Sequence, residues 1–255
     1  MPARSFRHKK RFGQHFLNSS RFAAKIVDFA EIEDEVVLEI GSGKGILTKS
    51  IAERAKKVFA VEIDKSLVEI LKKIDLAHVH IINDDFLKLD LRSFSLPVII
   101  GNIPYSITRS IIEKLIKERD HFKRAVLTVQ KEYGQRLCAV VGSRHYNAVT
   151  LLVNYYFHIH KGFAISSRFF SPQPQVSSVV ISLKQKRSVS SIKDEDAFFT
   201  FIKGIFRYRR KSLRNAVVHY LHRVPHGIDD DILHKRPEML TLNDFRHLYD
   251  TLMSG

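Results

Sequence analysis

The 255-residue sequence predicts an α/β protein, a mostly parallel sheet covered by helices and followed by a small all-helical domain. Three observations lead there. Short apolar, β-rich runs recur through the first 185 residues. Most of them are separated by stretches with helical spacing. Past a polar segment the strand signal ends and only helical periodicity remains.

In order, the predicted strands are EVVLEI (35–40), KVFAVEI (57–63), VHIIN (79–83), PVIIGN (97–102), AVLTV (125–129), YYFHIHKG (155–162) and SSVVISL (177–183). Between them ILTKSIAERA, SLVEILKKI, SIIEKLIKE and KEYGQRLCAV read as helices. Alternation of this kind makes successive strands parallel, with both faces of the sheet covered. The last two strands are separated by a Ser/Pro-rich turn and not by a long helix, which predicts an antiparallel pair at one edge. KQKRSVSSIKDED (184–196) reads as a linker. Beyond it AFFTFIKGIFRYRRKSLRNAVVHYL and LTLNDFRHLYDTLM have helical periodicity. The expected domains are therefore residues 1–185, with a basic N-terminal arm, and residues 194–255.

Composition narrows the function classes. Hydrophobic content of 44% and charged content of 27% are ordinary for a soluble globular protein. No window approaches the ~18 apolar residues of a membrane span, and the N-terminus lacks the apolar core of a secretory signal. The single Cys138 excludes an internal disulfide and a Cys-rich zinc site, and the 13 histidines form no HExxH or Cys/His cluster. No metal is expected, and a cytoplasmic monomer is the default. Charge says more: 42 basic residues stand against 27 acidic ones, a formal +15. Residues 1–27 hold seven Lys/Arg and no acid, and RYRRKSLRN sets Arg207, Arg209, Arg210, Lys211 and Arg214 within eight positions. Aromatics interleave both clusters (Phe6, Phe12, Phe16; Phe206, Tyr208), a pattern that favours a polyanionic partner over a merely solvated surface. Neither cluster forms an obvious lipid-facing amphipathic helix. Residues 194–255 hold ten basic and nine acidic residues, so the excess charge belongs to the first domain.

VLEIGSGKGILT puts Gly41, Gly43 and Gly45 directly after a strand and before a helix. The pattern is neither the GxGxxG of dinucleotide folds nor a P-loop. Glu62 ends the next strand, 21 residues after Gly41, where a carboxylate can accept both hydroxyls of a ribose. Asp85 follows the third strand and could accept from an adenine amino group. Helix capping or a solvated loop is the competing reading for each acid, and Asp84 could replace Asp85. A ribose carboxylate without a pyrophosphate cradle suggests a nucleoside without phosphates. S-adenosylmethionine fits, and its cationic sulfonium would tolerate Glu39.

IIGNIPYSIT (99–108) closes the fourth strand with Asn102-Ile103-Pro104-Tyr105. It has the form Asn/Asp-x-Pro-aromatic by which enzymes methylate the exocyclic amine of a base. The adenine N6 lone pair is delocalised into the ring and is a poor nucleophile. Acceptors at the Asn102 side-chain oxygen and the Ile103 carbonyl would favour a pyramidal nitrogen facing the methyl donor. Pro104 fixes φ and directs that carbonyl. Tyr105 offers a stacking face, worth ~1–3 kcal/mol in general experience. Taken alone, the four residues could also be only a turn.

Taken together, KRFGQHFLN, LEIGSGKGILT, AVEID, NIPYSIT, VQKEYGQRL, FSPQPQVSSVVISL and FRYRRKSLRN resemble, in that order, the ribosomal RNA adenine N6,N6-dimethyltransferases. The resemblance covers essentially the whole chain. It implies a Rossmann-like seven-stranded S-adenosylmethionine-dependent methyltransferase sheet with a C-terminal helical rRNA-binding domain. Gln14, His15 and Leu17 would line the cofactor entrance. Gly41, Gly43, Glu62, Ile63, Asp85 and Asn102 would hold S-adenosylmethionine, with no metal. Phe170 would sandwich the base against Tyr105, with Phe169 as the alternative register. Arg207, Arg209, Arg210, Lys211 and Arg214 would bind RNA.

One branch of the family dimethylates two adjacent adenosines near the 3′ end of small-subunit rRNA and acts in subunit assembly; the other comprises the erythromycin-resistance methylases of large-subunit rRNA. FGQHFL and the basic run resemble the first; GSGKG and NIPYSI lean to the second. The small-subunit branch is expected, with rRNA in a pre-30S-type particle as partner. A resistance-type 23S rRNA methylase, a DNA adenine methylase and a non-catalytic RNA-binding assembly or transcription factor are the alternatives.

Overall fold

The computed structural model describes residues 14–186 and 192–253. The arm positions Phe6 and Phe12 lie outside them. The chain divides into two compact units, one of residues 1–134 and 158–185, the other of 135–157 and 186–255. Residues 135–157, assigned from sequence to the first domain, thus group with the second.

In chain order the first unit begins with β1 (Phe16–Leu17), α1 (Ser20–Ala30), β2 (Val36–Ile40), α2 (Ile46–Ala52), β3 (Lys57–Val61), α3 (Lys65–Leu71) and β4 (Val79–Ile82). It continues through β5 (Val98–Asn102), α4 (Thr108–Lys117) and β6 (Arg124–Gln130) to α5 (Lys131–Leu137). After α6 (Ala148–Tyr156) come β7 (Phe157–Ile165), β8 (Phe170–Ser171) and β9 (Ser178–Gln185). Seven strands form one sheet in the order β4-β3-β2-β5-β6-β9-β7. β2, β3, β4, β5 and β6 pair in parallel, whereas β9 runs antiparallel to β6. The last two predicted strands, β7 and β9, are neighbours at one edge of this order, with β9 inserted beside β6.

The core strands are buried on both faces, as crossover helices require: Val37, Leu38, Val98, Ile99, Ile100, Val126 and Leu127 are all fully inaccessible. Strand order reverses between β2 and β5, because β3 and β4 extend one way and β6 the other. At such a switch point the loops leaving the two strands diverge and open a crevice at their carboxyl ends. Gly41–Gly45 leaves β2 there, and Asn102–Tyr105 leaves β5.

Three helices fall outside the predicted elements: α1, α6 and, in the second unit, the short helix Asp230–His234. α1 is started by Ser19, whose side chain accepts from the Phe22 N–H, and it buries Ala23, Ile26, Val27 and Ala30 on one stripe. α6 carries a capping box in which Asn147 Oδ1 accepts from Thr150 N–H at 3.4 Å and Thr150 Oγ1 accepts from Asn147 N–H at 3.1 Å, with a further bond to Asn147 Oδ1 from Val149 N–H at 2.8 Å. It therefore absorbs Tyr155 and Tyr156, which the sequence reading gave to a strand on the strength of their β propensity.

The second unit contains α6, α7 (Glu195–Phe206), α8 (Leu213–Leu221), α9 (Asp230–His234) and α10 (Leu242–Met253). Phe198, Phe201, Ile202, Leu213, Phe245 and Leu248 form its buried centre. Tyr155 donates to Glu195 at 3.0 Å and Tyr156 donates to the other carboxylate oxygen, which ties α6 to the first turn of α7. Burial and the adjoining carboxylate push the Tyr155 hydroxyl up to about 12. No helix among the described residues is long and apolar enough to cross a membrane.

Replacing Glu195 with Ala removes the carboxylate that accepts from both hydroxyls. The expected loss is about 1–3 kcal/mol of stability, read as a lower urea midpoint; an unchanged midpoint would show that the tie carries no energy.

Candidate active site

The crevice is built from three loops and the segment before α1. After β2 the chain turns through Gly41, Gly43 and Gly45, all at positive φ. The Gly41 and Ser42 N–H groups both donate to the Val61 carbonyl, at 2.9 and 3.1 Å, which draws the loop over the end of β3. A Cβ on Gly41 would meet nothing within 4 Å, so its place is open space beside the backbone. A Cβ on Gly43 would lie 2.8 Å from the Phe16 ring, which rests on the loop. Only glycine permits both the left-handed turn and these approaches.

Glu62 closes the next loop. Its carboxylate accepts from Gly43 N–H and Asp64 N–H, one at each oxygen and both at 2.9 Å. Burial pushes its pKa up, opposed by these backbone bonds. Two of about four lone-pair directions are taken, leaving one on each oxygen for a vicinal diol. Asp85 caps a helical turn by accepting from Leu87 N–H at 3.0 Å through Oδ1. The capping reading is thus correct, and it leaves Oδ2 available.

Asn102 is held by a long-range bond: Nδ2 donates to the His15 carbonyl at 2.9 Å. A carbonyl can only accept, so the amide group facing it must be NH2, and Oδ1 is turned away. Among the described residues no donor takes Oδ1. The same holds for the Ile103 carbonyl, while the Pro104 carbonyl accepts from both Ile107 N–H and Thr108 Oγ1. Pro104, at φ −59 and ψ 133, separates these two kinds of carbonyl. The Tyr105 hydroxyl is 2.8 Å from Ser178 Oγ, and its ring lies 5.6 Å from the His15 ring at 34°. Burial raises the Tyr105 pKa, against the Ser178 bond. His15 Nδ1 approaches the Pro172 carbonyl at 2.7 Å and is the nitrogen that donates.

Gln14, His15, Gly41, Glu62, Ile63, Asp85, Asn102, Pro104 and Tyr105 all line one cavity. Three expected residues do not. Gly43 stands behind the wall and acts through its bond to Glu62. Leu17 and Phe170 are cross-strand partners of β1 and β8 and are both buried, at 6% and 3% exposure, in the core that includes Ala23, Ile26 and Ile165. Phe170 therefore does not face Tyr105. Phe169 packs half-buried on Phe22 at 4.7 Å and does not face it either. Alternation along β1 turns Leu17 inward and leaves Phe16 on the cavity wall. Sequence reasoning missed Phe16 and the Ser178 anchor. A strand assignment for HFL would have exposed the first; the second is a tertiary contact with no local signal.

The lining suits a phosphate-free, cationic nucleoside derivative. Glu62, Asp84 and Asp85 are on it, with no Lys or Arg among the described residues. Gln14 Oε1 is a buried acceptor with no donor among those residues, and Ile63, 45% exposed, offers an apolar surface. S-adenosylmethionine fits this donor and acceptor set.

In the second unit the basic stretch is not uniform. Arg209 reaches the Arg144 carbonyl at 2.9 Å and Glu238 at 3.8 Å, and Arg214 binds Asp230 at 2.6 Å. Arg207, Arg210 and Lys211 are exposed, and the Tyr208 ring stacks on His219 at 5.1 Å.

A seven-stranded sheet with this switch-point crevice has the Rossmann-like methyltransferase fold. The family model for ribosomal RNA adenine dimethylase matches residues 5–238, and the chain belongs to that family. A ribosomal RNA small subunit methyltransferase A from Hydrogenobaculum sp. (strain Y04AAS1) is 35% identical over 246 residues, covering 96% of this chain and 93% of the relative. The protein of the same name from Clostridium acetobutylicum is 39% identical over 223 residues, covering 84% and 80%. Among solved structures, a dimethyladenosine transferase from Plasmodium falciparum superposes with a TM-score of 0.78 at 29% identity, covering 92% of this chain and 96% of that one.

Glu39 lies beneath the glycine loop, 1% exposed, and accepts from Thr48 Oγ1 at 2.6 Å. It is not on the cavity wall. Burial pushes its pKa up to about 7, opposed by bonds from Thr48 and Ser42 and reinforced by Glu62. Between about pH 4.5 and 7 the unfolded chain ionises this group before the folded one does. Its contribution to stability therefore falls as pH rises through that window. Relative to wild type, Glu39→Gln should gain stability over this range, by roughly 3 kcal/mol at most. Parallel urea titrations across pH test this; a variant difference that does not change with pH contradicts it.

Proposed function

We propose that this chain uses S-adenosylmethionine to dimethylate N6 of two adjacent adenosines near the 3′ end of small-subunit rRNA, as a cytoplasmic monomer acting during subunit assembly. The observation that carries the reading is the pair of acceptors at Asn102 Oδ1 and the Ile103 carbonyl, on a cavity that also holds Glu62 and Asp85. The small-subunit target is supported by relatives named for that subunit at 35% and 39% identity.

Bound S-adenosylmethionine supplies an electrophilic methyl carbon on a cationic sulfur. Glu62 accepts the ribose hydroxyls, Asp85 the adenine amino group of the cofactor, and Gln14 Oε1 a further donor. The target base, taken out of its stack, lies on Tyr105. Asn102 Oδ1 and the Ile103 carbonyl accept its two amino hydrogens and turn the nitrogen lone pair out of conjugation. Each transfer would leave S-adenosylhomocysteine as the departing thioether and release one N6 proton to solvent; after the first a single hydrogen remains, so one acceptor still orients the amine for the second. This is positioning and electrostatics. With Phe170 buried, the base is held on the Tyr105 side without that second face.

Arg207, Arg210 and Lys211 are assigned to phosphate contacts, while Arg209 is engaged by the Arg144 carbonyl and Glu238 and Arg214 forms a surface pair with Asp230. Changing the three exposed residues to Gln should weaken rRNA binding and lower the slope of log affinity against log salt by about 2. Arg209→Gln should instead lower stability and leave the slope nearly intact; equal slopes for all variants would refute the partition.

The test of function is methylation of purified small and large ribosomal subunits with labelled cofactor, followed by mapping of the modified bases. Dimethylated adjacent adenosines in small-subunit rRNA are expected; label only in the large subunit would refute the assignment. Asn102→Ala should abolish transfer with rRNA affinity nearly unchanged, and retained turnover would exclude the proposed amine clamp.

A further inference from the structure

The +15 charge is confined to two stretches. Every Asp and Glu lies in residues 28–132 or 194–255, where 27 basic residues balance all 27 acids. The acid-free stretches 1–27 and 133–193 carry the other fifteen Lys and Arg. Within the first unit, described parts of these two stretches fold against each other. The Phe22 ring of α1 lies 4.7 Å from Phe169 and 6.2 Å from Phe163 of β7, and Phe29 lies 6.1 Å from Phe163.

Two cations sit on this row of rings. Lys25 Nζ is 4.2 Å from the Phe163 centroid, and the Arg168 guanidinium is 4.9 Å from that of Phe169. Neither has a carboxylate partner among the described residues. Beside the row runs a groove lined by Lys25, His160 and Lys184, together with Arg124, whose guanidinium is already held by the Ala30 and Glu31 carbonyls and faces Glu35 at 3.9 Å. Of its two carboxylates, Asp28 is already held by Arg54 at 2.6 Å, which leaves Glu31.

We propose that this face of α1, β7 and the turn before β8 is a second RNA contact, which holds the sugar–phosphate backbone of the substrate outside the pocket. Cation–π seating restrains Lys25 and Arg168 before phosphate arrives, so less side-chain freedom is lost on binding. The rings are half-buried against one another and carry the two cations, so the face meets the backbone through its charges, which fix position and not base sequence. The track starts at the pocket wall: the Phe169 carbonyl accepts from Asn18 N–H at 2.9 Å, and the next residues, Phe170 and Ser171, pair with Leu17 and Phe16.

The inference rests on the reading of rRNA as substrate, and its test separates the two. The full chain and the variant Lys25→Gln/Arg168→Gln/Lys184→Gln are titrated with a stem-loop RNA from the 3′ end of small-subunit rRNA over a salt series. The variant should bind more weakly, with a log–log salt slope lower by about 2, and should keep its calorimetric affinity for S-adenosylmethionine. A control variant, Lys72→Gln/Lys73→Gln/Lys117→Gln, should keep the wild-type slope. An unaltered slope in the first variant, or an equal fall in the control, overturns the surface. So does a first variant that loses binding only to phosphatidylserine vesicles. Wild-type binding without salt dependence would count against the functional reading itself.

Discussion

A hydrogen bond between residues 87 apart, from Asn102 Nδ2 to the His15 carbonyl, sets the chemistry available at the crevice. Its donor end leaves the amide only one way to face. The side-chain oxygen then becomes an acceptor of fixed position, which a freely rotating amide would not provide. The arrangement depends on the segment before α1 crossing the carboxyl end of the sheet. That crossing is secured by the β1–β8 ladder and by Phe16 lying on Gly43. The glycine is therefore tied to the Asn102 end of the cavity through Phe16 as well as to the Glu62 end through its N–H.

Sheet topology explains why the remaining groups meet. Consecutive parallel strands deliver their carboxyl ends to one edge, so Gly41, Glu62, Asp85 and Asn102 arrive from four successive strands without long loops. Each acid is partly satisfied by backbone N–H groups of its own turn, which fixes its direction and leaves the other lone pairs for a ligand. Glu39, one layer below, accepts from the Thr48 hydroxyl, and burial pushes its pKa up to about 7.

Much of this was legible in the sequence, for physical reasons that differ by element. The central strands are visible as apolar runs because both their faces are buried, whereas the edge strands β4 and β7 are largely accessible and show only as β-rich runs. The Asn-Ile-Pro-Tyr and triple-glycine segments are readable because their chemistry needs those residue types in a row. Side-chain direction in two-residue strands was not readable. A shift of one position exchanges core for cavity, and so Leu17 and Phe170 proved to be core while Phe16 lines the site. The Tyr155-Tyr156 pair reads as strand until the Asn147 cap and the Glu195 acceptor are seen to hold it in a helix. Nor could a run of five basic residues declare which members, Arg209 and Arg214, face a carboxylate of the same unit.

The most direct measurement is a crystal structure of the chain with S-adenosylhomocysteine and an adenosine-containing RNA. The target N6 should lie about 3 Å from both Asn102 Oδ1 and the Ile103 carbonyl, with the base on Tyr105 and the ribose of the cofactor product on Glu62. An adenine bound with its amino group away from these two oxygens, or an Asn102 amide turned to present its nitrogen to the base, would contradict the proposed clamp.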